Sequence, residues 1–296
     1  MTAPLFIGMP DNETMTRALA QTRGGDIGEF TLHAFPDGET YLRYLTDPAG
    51  RNVVIVCTLD RPDGKFLSLV LAAAMARDLG TPRVGLVAPY LAYMRQDRRF
   101  KGGEAITSAY FARLISTSFN WLVTVDPHLH RHASLDEIYA IPNRIAHADG
   151  PLAAWIRNNV ERPLIVGPDS ESSQWVKRIA AEARCPHVVL DKRRRGDRDV
   201  TINLPDMSGW QGRKPVLVDD IISSATTMIE AARLLVAAGM PKPVCIGIHG
   251  LFAGDGFSAL SEVAERVVTT NSVRHASSEI DLSPQIAAIV ADVAGA

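Results

Sequence analysis

The chain has few cysteines, and their arrangement argues against a disulfide framework. Its 296 residues include three, Cys57, Cys185 and Cys245. They are odd in number, stand far apart, and each lies in or beside an apolar run. Disulfide-stabilised domains pair their cysteines and occur in oxidising compartments. The pattern therefore predicts reduced thiols.

Long apolar runs and blocks of one charge are also scarce. No run approaches the roughly 18 apolar residues of a membrane span, and the N-terminal MTAPLFIGMPDNETM lacks a basic segment followed by an apolar core. Outside DKRRRGDR there is no basic block, and 31 basic against 33 acidic side chains give a formal charge of −2. These absences predict a cytoplasmic protein that binds neither membranes nor nucleic acids.

What the sequence does contain is an alternation of short apolar strands and amphipathic helices. Runs such as NVVIVCTL, RVGLVAPY, PLIVGPD and PVLVDD predict strands, and the segments between them carry helical i, i+3, i+4 spacing. This order predicts an α/β fold in which each of two domains is a mainly parallel sheet flanked by helices. The pattern restarts around IPNRIAHADGPLAAWI, which divides the chain into residues 1–147 and 148–296. The last helix, SPQIAAIVADVAGA, fits either half.

The segment KPVLVDDIISSATTM runs from a strand into two carboxylates and then into hydroxyl side chains. Ligands of open α/β sheets bind beyond the carboxyl ends of strands, where helix N-termini offer N–H groups to anions. We therefore expect a phosphate to be wrapped by the hydroxyl loop, which consists of Ser223, Ser224, Ala225, Thr226 and Thr227. Asp219 and Asp220 would repel a phosphate and are predicted to accept hydrogen bonds from sugar hydroxyls. The alternative is an acidic strand end followed by an ordinary helix cap.

This acidic pair and hydroxyl loop resemble the ribose-phosphate loop of the type I phosphoribosyltransferase fold. Other segments resemble the ribose-phosphate pyrophosphokinase family, in its order and along nearly the whole chain: FPDGETYLRYL at Phe35, APYLAYMRQDRRF at Ala88, TVDPHLHRH at Thr124 and DKRRRGD at Asp191. The resemblance implies an ATP-side N-terminal domain and a C-terminal domain with the sugar-phosphate and catalytic loops, both of phosphoribosyltransferase type. It also implies transfer of the β,γ-diphosphoryl group of ATP to the C1 hydroxyl of ribose 5-phosphate.

On the ATP side, the resemblance implies a base site made of Phe35, Asp37, Glu39, Arg95 and Gln96. An aromatic ring or guanidinium plane stacks on a purine, while carboxylates and amides match its polar edges. In the family the Phe-Asp-Glu segment reaches the nucleotide of a neighbouring subunit, which implies a homo-oligomer. Taken alone, PDGE is equally a turn between two strands.

The histidine-rich DPHLHRH lacks the spacing of a structural zinc site, and no cysteine stands near it. Mg²⁺ held mainly by ATP phosphates needs one or two protein ligands. The resemblance implies His128 for this role and Asp169 for a second metal. His130 and His132 are expected to be ordinary polar loop residues, and His249 a structural histidine.

The cations Lys192 and Arg194 match the start of the family's flexible catalytic loop. Diphosphoryl transfer gathers negative charge on the transferred and leaving oxygens, which mobile cations can neutralise. The alternative is a solvated basic face.

Some residues depart from the family pattern. The hydroxyl loop reads Ser-Ser-Ala-Thr-Thr where Asp-Thr-Ala-Gly-Thr is usual, so Thr226 would restrict the backbone if φ were positive there. GPDSESS replaces the usual Pro-Asp-x-Gly-Gly and predicts a stiffer loop. The chain after His128 lacks the usual Gln-Ile-Gln-Gly-Phe-Phe.

Two other functions stay open at this point. One is a phosphoribosyltransferase that consumes phosphoribosyl pyrophosphate, in which the segments at Phe35 and Arg95 would have no purpose. The other is a non-catalytic homologue that binds a partner synthetase. Against the second stands the joint presence of Lys192, Arg194, Asp219, Asp220 and His128.

Overall fold

The computed structural model describes residues 2–195 and 199–294, with the backbone alone for 191–195, 199–203 and 294. The described chain divides into two compact units. One comprises the chain up to Ala146 together with the segment from Ser283 onward, and the other comprises His147–Leu282. Among the described residues, no helix is long and apolar enough to cross a membrane.

The first unit is built on a six-stranded parallel sheet of order β2-β1-β5-β6-β7-β8. Its strands are β1 (Leu5–Gly8), β2 (Asp26–Ile27), β5 (Val53–Val56), β6 (Val84–Ala88), β7 (Trp121–Val125) and β8 (Asn143–Ala146). An antiparallel hairpin is formed by β3 (Phe30–Ala34) and β4 (Thr40–Tyr44). The helices are α1 (Glu13–Arg23), α2 (Asp63–Asp78), α3 (Thr107–Ser118) and α8 (Ser283–Ala294).

The second unit repeats this plan with the order β10-β9-β13-β14-β15-β16, again parallel. Its strands are β9 (Pro163–Gly167), β10 (His187–Val189), β13 (Lys214–Ile222), β14 (Val244–Gly250), β15 (Arg266–Thr270) and β16 (Ser278–Ile280). An antiparallel pair is formed by β11 (Asp191–Arg195) and β12 (Asp199–Asn203). The helices are α4 (Asp149–Asn159), α5 (Ser173–Ala183), α6 (Thr226–Ala237) and α7 (Gly256–Val263). The predicted α/β fold is confirmed.

The central strands are largely apolar and buried, as expected for parallel strands that helices cover on both faces. Every residue of β5 and of β14 is buried. In the second unit the core continues from Leu217 on β13 to Met228 and Leu235 on α6. Truncating such a side chain to alanine costs about 2–5 kcal/mol, so this packing fixes where β13 ends and α6 begins.

The C-terminal helix corrects the sequence-based division at residue 148. α8 packs against α1, β7 and β8 and therefore belongs to the first unit. Its apolar face, formed by Ile286, Ala287, Val290 and Val293, is almost wholly buried. The Ser283 hydroxyl also lies 3.3 Å from the Met15 sulfur on α1. Because the apolar stripe alone fitted either half, only tertiary packing decided its place.

Candidate active site

Three carboxylates gather at the carboxyl ends of two neighbouring strands in the second unit. Asp219 and Asp220 lie near the end of β13, and Asp169 follows β9, the strand paired with it. Partial burial, and then the negative charges of Asp220 and Asp169, raise the pKa of Asp219 well above its usual value. These strand ends therefore concentrate negative charge, which suits hydroxyl donors or a cation.

Local hydrogen bonds orient the acidic pair. Asp219 accepts a hydrogen bond from the Asp220 N–H at 3.1 Å, and Asp220 accepts one from the Ile221 N–H at 2.8 Å. Each carboxylate is thus fixed against the backbone of the following residue. Oxygens fixed in this way can accept hydrogen bonds in a defined direction.

The hydroxyl loop turns directly into a helix. Ala225 has φ 61° in the left-handed region, and α6 begins at Thr226. Thr226 therefore does not occupy a left-handed position, and the expected restriction does not arise because the positive φ falls one residue earlier. Its hydroxyl lies 3.1 Å from the Ser224 hydroxyl.

The start of α6 has the features of an anion site. The N-cap residue of this helix, Ala225, makes no side-chain capping hydrogen bond. Helix N-termini present N–H groups and a positive dipole end to anions. The predicted phosphate-binding residues therefore converge on one helix start.

Asp169 organises the loop that follows β9. Its carboxylate accepts hydrogen bonds from the N–H groups of Glu171 at 3.1 Å and Ser172 at 3.3 Å. The Ser172 hydroxyl donates back to the Asp169 carbonyl at 2.6 Å. One Asp169 carboxylate oxygen thus accepts both hydrogen bonds of the turn. Ser172 adds a side-chain hydrogen bond that the glycine usual in the family could not make.

In the first unit, His128 lies just beyond the carboxyl end of β7 and contacts a second histidine. The His130 Nε2 is 3.0 Å from the His128 Nδ1, and the two rings meet edge to face. The turn brings positions i and i+2 together, so His130 contacts the histidine predicted to bind the metal. His132 instead pairs with Glu137 at 2.8 Å, which lowers the pKa of Glu137.

The predicted nucleotide residues Arg95 and Gln96 lie next to the start of α3. The Gln96 side chain accepts a hydrogen bond from the Thr107 hydroxyl at 3.1 Å, and Arg95 is exposed. Sequence reasoning missed the adjoining Asp97, which is buried and pairs with Arg131 through distances of 2.7 and 2.9 Å. This ion pair ties the Arg-Gln-Asp segment to the histidine-rich segment.

Phe35, Asp37 and Glu39 meet at the tip of the β3–β4 hairpin. The Phe35 N–H donates to the Glu39 carbonyl at 2.7 Å, and Asp37 accepts from the Glu39 N–H at 3.1 Å. Gly38 has φ 92°, which a residue with a side chain rarely adopts. The Phe35 side chain is 45% exposed. The segment is therefore both a turn and an exposed aromatic and acidic surface.

Not all predicted site residues are in contact. Within the described part of the chain, no hydrogen bond, ion pair or ring contact joins the hairpin tip to Arg95 or Gln96. His249 is buried with its Nδ1 2.9 Å from the Ser272 hydroxyl, which agrees with a structural role.

Known proteins match both halves of this arrangement. The model of the phosphoribosyl transferase domain matches residues 134–283, and that of the N-terminal domain of ribose phosphate pyrophosphokinase matches residues 5–118. A ribose-phosphate pyrophosphokinase of Saccharolobus solfataricus is 34% identical over 86% of this chain and 88% of its own. The chain belongs to the ribose-phosphate pyrophosphokinase family. The resemblance seen in its motifs is confirmed.

Other members of this family support the match over the full length. A ribose-phosphate pyrophosphokinase of Thermoplasma acidophilum is 29% identical over 94% of this chain and 95% of its own. The crystal structure of phosphoribosylpyrophosphate synthetase from Mycobacterium smegmatis has a TM-score of 0.86 and 21% identity, and the match covers 100% and 99% of the two chains. That structure has the same fold.

The cationic segment predicted to act in catalysis follows β10. Lys192 and Arg194 belong to β11, which pairs with β12. Their side chains lie outside the described residues. Their assignment as catalytic residues stays a prediction.

Proposed function

We propose that this protein transfers the β,γ-diphosphoryl group of ATP to the C1 hydroxyl of ribose 5-phosphate, forming phosphoribosyl pyrophosphate and AMP. One observation carries the proposal: two carboxylates at the end of β13 precede the hydroxyl loop and the start of α6. A sugar phosphate matches both parts, because the anion suits the helix start and the hydroxyls suit the carboxylates. The name shared by the relatives, ribose-phosphate pyrophosphokinase, supports the same substrate class.

In this assignment the sugar is held from both ends. The hydroxyl loop binds the 5-phosphate, and Asp219 and Asp220 accept hydrogen bonds from the ribose hydroxyls. Fixing both groups orients the C1 hydroxyl towards ATP, and such orientation converts binding energy into rate. The carboxylates are already fixed against the backbone, so binding requires little reorganisation.

The nucleotide is assigned to Phe35, Asp37, Glu39, Arg95 and Gln96. Phe35 presents an exposed ring for stacking, and Thr107 holds the Gln96 amide in place. Lys192 and Arg194 are assigned to the negative charge that develops on the transferred phosphoryl oxygens.

Mg²⁺ bound with ATP is assigned to His128, and a second metal ion is assigned to Asp169. The donor chemistry fits, because the carboxylates that crowd the end of β13 raise the pKa of Asp219, and a divalent cation offsets that excess charge. When bound, the ion neutralises phosphate charge and polarises the phosphoryl group under attack. Asp169 keeps its carboxylate in position through the turn that it caps.

We infer a homo-oligomer with a nucleotide site shared between copies. The hairpin tip is exposed, and none of its described hydrogen bonds or ring contacts reaches Arg95 or Gln96. A neighbouring copy would supply the missing contact. Mixing an inactive Phe35→Ala chain with an inactive Arg95→Ala chain is therefore expected to restore activity through hybrid sites. No recovery after demonstrated subunit exchange contradicts a shared site.

The state of the cysteines favours a location in the cytoplasm. All three cysteines are free, and Cys57 and Cys245 are buried. Unpaired cysteines suit a reducing compartment.

The direct test incubates the purified protein with ATP, Mg²⁺ and ribose 5-phosphate and separates the products by anion-exchange chromatography. We expect AMP and phosphoribosyl pyrophosphate in equal amounts, and none of either without the sugar. ADP in place of AMP indicates a simple kinase. No turnover while ribose 5-phosphate still binds supports the non-catalytic homologue.

Metal dependence gives an independent check. We expect no product in excess chelator, because the triphosphate must be neutralised before a hydroxyl approaches it. His128→Ala is expected to raise the Mg²⁺ concentration needed for half-maximal rate without changing the circular dichroism spectrum. Unchanged Mg²⁺ dependence contradicts this role of His128.

A further inference from the structure

We propose that residues 251–256, the backing segment between β14 and α7, hold the hydroxyl loop in its phosphate-binding shape, with Gly256 as a positioning residue. The proposal rests on the proposed function, since it concerns the loop assigned to the 5-phosphate. It goes further by assigning a role to residues that touch no substrate. Its basis is a set of contacts made by backbone atoms.

The backing segment donates hydrogen bonds to the end of β13 and to the loop. The Ile222 carbonyl accepts from the N–H groups of Leu251 at 2.9 Å and Phe252 at 3.1 Å. The Ser223 carbonyl accepts from the Ala253 N–H at 3.1 Å. The carbonyls on this side of the loop are therefore fixed towards the backing segment.

Fixing these carbonyls also fixes the N–H groups of the loop. A trans peptide unit is planar, so its N–H points opposite to its carbonyl. The Ser223 and Ser224 N–H groups belong to the peptide units of the Ile222 and Ser223 carbonyls, so both point away from the backing segment. That side is where an anion in front of α6 would lie, and oriented N–H groups are what such an anion needs.

Gly256 brings the first turn of α7 against the loop. A Cβ atom at this position would lie 2.9 Å from the Ser223 carbonyl oxygen and 3.1 Å from the carbonyl carbon and oxygen of Ser224. These are backbone atoms, so no side-chain rotation relieves the overlap. Gly256 is not among the positive-φ glycines, and alanine suits a helix, so the expected fault is a displaced loop and not a broken helix.

An aromatic cluster keeps the backing segment rigid. Phe252 has φ 43°, which is unfavourable for a bulky residue. Its ring packs against His275 at 4.5 Å and Phe257 at 5.1 Å between centroids. The His275 Nδ1 accepts a hydrogen bond from the Ser277 N–H at 3.2 Å, which anchors the cluster. The strained backbone is thus held by packing.

The test compares Gly256→Ala with Gly209→Ala, a glycine of the same unit that has no atom within 4 Å of the added methyl group. Ribose 5-phosphate and inorganic phosphate are titrated into both variants and the wild type by calorimetry. We expect Gly256→Ala to weaken both ligands by about 10- to 100-fold, the scale of a small misplacement of binding groups. The KM for ribose 5-phosphate should rise alike, with the KM for ATP unchanged. Gly209→Ala should match the wild type.

The outcomes separate two failures. If the wild type binds neither ribose 5-phosphate nor phosphate, the proposed function fails and the positioning role fails with it. If the wild type binds both and Gly256→Ala binds them equally well, the positioning role alone is overturned. A lower melting temperature with unchanged affinity for both ligands also overturns it.

A second measurement needs no variant and applies even if Gly256→Ala does not fold. Hydrogen exchange of the Leu251, Phe252 and Ala253 amides is followed in the wild type with and without saturating inorganic phosphate. We expect exchange to slow by at least about tenfold, because an occupied loop opens less often from its backing. Unchanged exchange in a protein that binds phosphate contradicts the proposal.

Discussion

The two units share one strand order and yet carry different chemistry. Each inserts an antiparallel pair at the same point, β3–β4 between β2 and β5 and β11–β12 between β10 and β13. The first pair presents Phe35 and two acidic residues, whereas the second contains Lys192 and Arg194. The two units thus share a scaffold, and the residues of the inserted pairs give each unit its own chemistry.

Strands β5 and β13 take the same place in the two sheets, third in the strand order, and the loops that follow them also differ in chemistry. In the first unit the Thr58 N–H is bonded by the Asn12 side chain at 2.9 Å, and Lys65 donates to the Thr58 carbonyl at 3.0 Å. In the second unit the corresponding loop is lined by hydroxyls and leads into α6, whose N-cap residue Ala225 makes no side-chain capping hydrogen bond. The loop after β5, the filled loop (residues 57–62), is thus bonded by side chains from other parts of its unit. The loop after β13 is the one to which the 5-phosphate is assigned.

The largest expected effect concerns the antiparallel pair of the second unit. Lys192→Ala or Arg194→Ala should lower kcat by about 10²- to 10³-fold, because these cations are assigned to charge that develops in the transition state. The affinity for ribose 5-phosphate should change little. Lys177→Ala, which removes an exposed lysine of α5, is the matched control. Equal losses of affinity and rate indicate ground-state binding instead.

The acidic pair should affect the sugar without affecting free phosphate. Asp220→Asn weakens charge-assisted hydrogen bonds worth roughly 1.5–3 kcal/mol each, so ribose 5-phosphate should bind about 10- to 100-fold more weakly. Inorganic phosphate should bind as well or better, because one negative charge is removed. Asp60→Asn, in the corresponding loop of the first unit, is the control for both titrations. A parallel loss of phosphate binding means that the carboxylates shape the loop.

The hydroxyl loop should fail in a different pattern. Thr227→Ala removes a proposed phosphate donor and should weaken ribose 5-phosphate and inorganic phosphate together, by about tenfold. Thr58→Ala provides the comparison in the first unit and should leave both affinities unchanged. Calorimetric titration of the two ligands into the two variants decides this. Loss of the sugar phosphate alone, with phosphate binding intact, rules out the phosphate role of Thr227.

The filled loop of the first unit should matter for stability instead. Asn12→Ala leaves the Thr58 N–H without its side-chain acceptor, and an unsatisfied buried group costs about 1–3 kcal/mol. The free energy of unfolding in urea should fall by that amount, with the affinity for ribose 5-phosphate unchanged. Asn159→Ala, which removes an exposed amide on α4, should have little effect. A loss of sugar affinity in Asn12→Ala removes the contrast between the loops.

The smallest effect is the chemical inertness of the thiol in the filled loop. Burial, partly offset by Lys65, raises the pKa of Cys57 to about 12. The thiolate is therefore absent at pH 8 and forms only as the pH approaches that value, so iodoacetamide should leave Cys57 unmodified in the folded protein. Cys185, which is only half-buried, serves as the internal comparison by peptide mass spectrometry. Modification of Cys57 at the rate of Cys185 means that the loop opens readily.

The sequence by itself determined the features that depend on neighbouring residues. Apolar periodicity predicted parallel sheets flanked by helices, because it reports which face each element buries. The hydroxyl loop was predictable because strand, loop and helix are consecutive, and the PDGE turn because its residues favour a turn wherever they occur.

Tertiary structure decided the rest, because it concerns residues far apart in the chain. Asp97 pairs with Arg131 across 34 positions, and no local pattern indicates that partner. The apolar face of α8 fitted either unit until α1, β7 and β8 covered it. In the sequence Gly256 is an ordinary helix start. Only the structure shows that a Cβ atom at this position would overlap the Ser223 carbonyl. Local preferences shape each element, but long-range packing selects among the partners that those preferences leave open.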